Sequence, residues 1–137
     1  MDGREGHRRI KFMADLEAIT RDYLAAFEAR DLDKCLSFFA DDATIDFQNV
    51  EYEGHDSIKE WHEERFNANL RLTKIDNVRL KGNTVIVDAV ASSDRLAAWK
   101  INALKSKIEA KFEGDKIQEV KLKASITSVF SMIRAGE

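Results

Sequence analysis

Proline is absent from all 137 residues, and only one cysteine and six scattered glycines occur. Without proline there is no prolyl kink and no polyproline segment. The lone Cys35 cannot close an intramolecular disulfide, which fits a reducing cytosol. No proline-, glycine- or serine-rich stretch marks a linker, so a single domain is expected. No apolar run approaches the roughly 20 residues of a membrane span. The N-terminus also lacks the apolar core of a secretory signal. The expectation is a cytoplasmic protein with no membrane partner. Missing too are a glycine-rich phosphate loop and a serine elbow. His55 and His62 stand seven residues apart, and nothing on one face completes a ligand set around them. No metal and no cofactor is expected.

What is present is a globular composition, 44% hydrophobic and 34% charged, with a net charge of −3. A chain of this length buries roughly two-thirds of its unfolded surface and needs no covalent staple. Residues 31–60 hold nine acids against only Lys34 and Lys59, an acidic surface that would repel phosphates. Nucleic acid is therefore not an expected partner. Basic residues gather instead between Arg4 and Lys11 and among the lysines from 100 to 123. The first group belongs to residues 1–12, read as a flexible leader or tag ahead of a domain over 13–137.

Periodicity divides the chain into two halves. Leu16, Ile19, Tyr23, Ala26 and Phe27 recur at helical spacing and predict a helix over 14–30. Asp31 can cap a second helix, over 32–40, with Cys35 in its apolar stripe as a small buried hydrophobe; Asp41-Asp42 would end it. Residues 43–48 read as a strand, and Gly54 ends the next short extended piece. A third helix is expected over 55–69, with Ile58, Trp61, His62, Arg65 and Phe66 along one side. Beyond residue 70 the period falls to about two. Strands are predicted over 70–80, 84–93, 103–113 and 116–124, with a short helical turn at 94–100. The tail, 125–135, reads as a helix or a strand extension. The fold class is α+β, with three helices packed into a strongly curved antiparallel sheet that forms a cone with a pocket.

The segments YLAAFEARDLDKCLSFFADDATIDF, GHDSIKEWHEERF and FEGDKIQEVKL, in this order and spacing, resemble the SnoaL-like members of the nuclear transport factor 2-like superfamily. The resemblance covers roughly residues 14–124. It implies a bent sheet wrapped around the helices, a pocket at the open end, and a homodimer formed through the outer sheet face. The superfamily includes ketosteroid isomerases, whose pocket tyrosine corresponds to Tyr23. Their general base and second pocket acid correspond to Phe47 and Ile108, which cannot move a proton. Ketosteroid isomerisation is therefore not expected.

The candidate binding residues are Tyr23, Phe47, Trp61, His62 and Ile108, and the candidate catalytic residues are His62 and Tyr23. His62 has an ordinary pKa of about 6.5, suited to general acid/base work if it faces the pocket. Trp61 and His62 are adjacent on one helix, and the histidine is expected nearer the open end, with Trp61 reporting on the cavity. Alternation turns Asp46 away from Phe47, while the direction of Asp88 stays open. Lysines 105, 107, 111, 121 and 123 read as the solvated face of the last hairpin. Three functions remain. The first is binding of a small apolar molecule, the second an acid/base enzyme using His62 or a strand carboxylate, and the third a protein-association domain with a filled cavity.

Overall fold

The structure, a computed structural model, describes residues 16–100 and 103–124. Helix α1 occupies residues 16–28, followed by α2 (Leu32–Ser37), strands β1 (Phe39–Phe47) and β2 (Val50–Glu53), and helix α3 (Gly54–Asn67). Strands β3 (Arg71–Lys81) and β4 (Thr84–Ser92), helix α4 (Asp94–Ala98) and strands β5 (Leu104–Glu113) and β6 (Lys116–Ala124) complete the order. The six strands form one sheet in the order β2-β1-β6-β5-β4-β3.

Local chemistry accounts for the breaks between elements. Helix α1 ends where Arg30 enters the left-handed region (φ 59). The Arg30 and Asp31 amides then donate back to the Phe27 and Ala26 carbonyls, both at 3.0 Å, the paired closure of a Schellman motif. The Asp31 carboxylate next accepts from the Lys34 amide at 3.2 Å and starts α2. Helix α3 closes in the same way, with Asn69 left-handed and the Asn69 and Leu70 amides donating to Phe66 and Arg65. The β1–β2 hairpin turns through Gln48 and Asn49, both at positive φ, as a two-residue type I′ loop requires.

One core joins helices and sheet. Leu16, Tyr23, Leu24 and Phe27 of α1 and Ile58 and Trp61 of α3 pack with Val85, Val87, Ile108, Phe112, Ile117 and Val120 from the sheet. Strand β4 alternates strictly, with Val85, Val87, Ala89 and Ala91 buried against the helices. Asp88 therefore lies on the outer face, which settles its direction.

Three expectations need correction. The sheet is mixed, because β1 runs parallel to β6 while every other pair is antiparallel. The second helix stops at Ser37, and the strand expected over 43–48 begins at Phe39. Asp41-Asp42 consequently lies inside β1, at the irregularity where pairing jumps from Phe39–Ile117 to Thr44–Glu119. The cause is tertiary: Phe39 is almost fully buried with its ring against Tyr23 and His62, and the exposed aspartates ride on the irregular segment. Further register irregularities occur in the β3–β4 and β5–β6 ladders. The expected leader and tail lie outside the described residues.

Candidate functional site

A cavity of about 180 Å³ opens between the sheet, the C-terminal end of α3 and helix α4. An apolar cavity of about 150 Å³ accepts one benzene ring, so this space suits a ring-sized molecule. Its walls are mostly apolar: Phe47 at the end of β1, Leu70 and Leu72 entering β3, Leu96 and Trp99 around α4, and Ile108 on β5. The Schellman closure of α3 fixes two wall residues together, since the Leu70 amide donates to the carbonyl of Arg65, and both side chains line the space. The Ser93 hydroxyl caps α4 by accepting from the Leu96 amide at 3.2 Å and so holds that helix beside the cavity. Trp99 is 64% exposed, a large apolar surface left open at this site.

The charge of the lining is one-sided. Arg65, Arg95 and Lys123 line the cavity, and no acidic side chain does among the described residues. Lys123 only borders the space from β6, because its cross-strand partner Lys107 and its ion-pair partner Glu109, at 3.7 Å, lie on the outer face with Asp88. The Arg65 guanidinium lies over the Phe47 ring, 4.6 Å from its centroid, and 5.9 Å from that of Trp61.

Tyr23 and His62 form a separate buried pair. The tyrosine hydroxyl and His62 Nε2 are 2.7 Å apart, and His62 Nδ1 is 2.7 Å from the Ile58 carbonyl oxygen. A carbonyl only accepts, so Nδ1 carries the proton and Nε2 accepts from the tyrosine. Tyr23, Phe27, Phe39, Trp61 and Phe66 surround the imidazole. Desolvation in this aromatic shell lowers the His62 pKa to about 4, against a smaller raising effect of the bond to Ile58. Burial raises the Tyr23 pKa well above its ordinary value, with Cys35 adding to the shift. Cys35 itself is fully buried, and burial, followed by the nearby Asp31, pushes its thiol up to about 12. Such a thiol is inert packing.

Of the five residues expected at the pocket, Phe47 and Ile108 line this cavity, whereas Tyr23, Trp61 and His62 do not. Trp61 meets Phe47 from the core side, with ring centroids 5.7 Å apart. The expectation that His62 lies nearer the open end than Trp61 is not met: His62 is 0% and Trp61 3% exposed. The aromatic residues of α1 and β1 close over both, which helix periodicity does not reveal. Sequence reasoning missed Leu96 and Trp99. Their three-residue spacing in a short helical segment between strands was the available signal. Asp46 does not line the cavity. Among the described residues no group of histidine, cysteine and carboxylate side chains could hold a metal ion. No described helix is long and apolar enough to cross a membrane.

Comparison with solved structures places this arrangement in the NTF2-like fold. An NTF2-like protein of unknown function from Cytophaga hutchinsonii superposes with a TM-score of 0.68 at 10% identity, covering 84% of this chain and 94% of its own. The epoxide hydrolase/cyclase-like enzyme SalBIII, which acts in pyran ring formation in the polyether salinomycin, gives 0.73 at 16% identity, with 84% and 94% covered. A candidate polyketide cyclase from Xanthomonas campestris gives 0.72 at 16% identity, with 89% and 98% covered. At these identities the likeness concerns the fold. The family profile described as SnoaL-like domain matches residues 20–120, and the chain belongs to that family. No curated protein matches the sequence.

Proposed function

We propose that this SnoaL-like domain binds a small, largely apolar molecule of one or two rings in the cavity between α3, α4 and the sheet. The carrying observation is the composition of the cavity wall, in which Phe47, Leu72, Leu96, Trp99, Ile108 and Leu122 supply apolar surface and a few polar groups stand among them. That division of labour is usual for small-molecule sites. Binding is favoured over acid/base catalysis by the lining, since no histidine or carboxylate borders the cavity among the described residues. Burial contributes about 25 cal/mol per Å² of apolar area, less the cost of association, so micromolar affinities are expected.

Trp99 is the reporter to use. Titration with one- and two-ring aromatic compounds should change its fluorescence saturably, and Trp99→Phe should silence the signal. Ile108→Phe adds bulk to the wall and should weaken binding at least about tenfold, as overpacking of an occupied space does. If no compound produces a saturable signal or calorimetric heat, the cavity is not a ligand site.

We propose further that two chains associate through the outer face of the sheet. Support comes from Ile86 and Val90, half-buried and apolar on that face of β4. Cross-strand pairing there sets Asp88 beside Lys107, Glu109 beside Lys121 and Lys111 beside Glu119, which offsets much of the lysine charge. Light scattering should return twice the chain mass of 15.6 kDa at micromolar concentration. A value of one chain mass would exclude the dimer under those conditions.

A further inference from the structure

We infer that the cavity is built for an anionic ring compound, a small aromatic or alicyclic carboxylate, whose charged group is read by Arg65. The inference rests on the binding function proposed above and deepens it from apolar to amphipathic ligands.

Three observations carry it. First, the cavity is lined by cations and by no described acid, in a chain whose net charge is −3. Surface chemistry of the whole protein therefore does not account for the sign of the site. Second, Arg65 differs from the arginines that are already engaged. Arg71 pairs with Glu28 at 3.0 Å, and Arg30 donates to the Phe27 carbonyl and the Asn69 side chain. Arg65, only partly exposed, has no carboxylate within ion-pair distance among the described residues, and its Nε is buried with no hydrogen-bond partner. That Nε is closed off from solvent, so an anion in the cavity would be met by the terminal Nη groups of the guanidinium, which has no carboxylate to neutralise it among the described residues. Third, the guanidinium has aromatic neighbours before any ligand arrives. Its carbon lies over the Phe47 ring and near Trp61, whose Nε1 is also a buried donor without a partner among the described residues.

A planar fork at an aromatic wall favours a planar two-oxygen acceptor, because two parallel N–H···O bonds can form at once. The ring of the ligand would then lie along Leu70, Leu72 and Ile108, which border the same space. Arg95 is exposed at this site and adds long-range attraction that salt screens. Arg65 is thereby a specificity-determining residue rather than a catalytic one.

The experiment is calorimetry on the full chain at neutral pH with two matched probe pairs, benzoate against benzamide and naphthoate against naphthamide. The expected result is that each acid binds about tenfold or more tightly than its amide. Arg65→Gln keeps much of the stem but lacks the charge, and should bring acid and amide within about threefold of each other. Arg65→Lys, which keeps the charge without the fork, should retain an intermediate preference. Circular dichroism confirms that each variant is folded, and the lysine variant keeps the test open if the glutamine one is not. Equal affinity of acid and amide for the wild type overturns the inference and leaves the apolar pocket standing. An acid preference undiminished in Arg65→Gln overturns the assignment to Arg65. If neither member of either pair binds, the pocket itself fails and the inference falls with it.

Discussion

Lowering the pH from 7 to 4 should remove about 3 kcal/mol of folding stability through His62 alone. In the unfolded chain this imidazole takes up its proton near its ordinary pKa of about 6.5. In the native state the pKa is lowered to about 4, because the aromatic shell desolvates the charged form. Between these values the unfolded state binds more protons than the native one, so acidification favours unfolding. The contribution is intact above about 6.5 and is lost progressively as the pH falls through 4. Carboxylates also titrate near the lower limit, so a reference is needed. His62→Gln is neutral throughout and should lack this component. Urea unfolding of both proteins at several pH values should give a wild-type loss about 3 kcal/mol larger than that of the variant. Equal losses would mean that His62 is not held neutral in the core. At neutral pH, Tyr23→Phe removes the hydroxyl that donates to Nε2 and should cost about 1–3 kcal/mol by leaving that acceptor unmet.

Phe112→Ala should be the more damaging change, at about 3–5 kcal/mol. Phe112 is 1% exposed and heads the fully buried side chains by volume among the described residues. It sits where the β5–β6 register shifts, and both its backbone groups are tied to Asn83, the amide to the carbonyl at 2.8 Å and the carbonyl to Nδ2 at 2.9 Å. With the backbone fixed from two sides, the strand cannot collapse into the space that truncation leaves, and the full cavity penalty should appear. Lys111→Ala, next in sequence but exposed, should change stability by less than about 0.5 kcal/mol. Denaturant midpoints for the two variants provide the measurement. A Phe112→Ala loss no larger than that of Lys111→Ala would contradict the core described above.

The elements of this protein were legible because each is written in local periodicity. The stripe from Leu16 to Phe27 gave a helix, and the alternation expected over 84–93 gave a strand that ends one residue earlier, at Ser92. The turn signals at Gly82 and Gly114 fell where the chain turns, at positive φ. The short helical turn expected over 94–100 and the strand over 103–113 appear as Asp94–Ala98 and Leu104–Glu113. Phe47 and Ile108 line the cavity, and alternation and the family resemblance both turn them inward.

The direction of β1 was not legible, because strand pairing is a long-range choice and an amphipathic strand reads the same beside a parallel or an antiparallel neighbour. The Asp41-Asp42 pair looked like a break because the partner that accommodates it, β6, lies more than 70 residues away in sequence. The fate of His62 was likewise decided elsewhere. Helix spacing put it on an apolar stripe, but only the closing of Tyr23, Phe27 and Phe39 over it made it a desolvated, singly protonated core group instead of a cavity residue. The cavity itself belongs to the tertiary structure: α3, α4 and β5 meet there, and the charge sign of its wall emerges only when Arg65 and Arg95 are brought together from separate helices. Local sequence determines which surfaces are apolar and with what period, whereas burial, partner choice and electrostatic environment are set by contacts that exist only once the chain has packed.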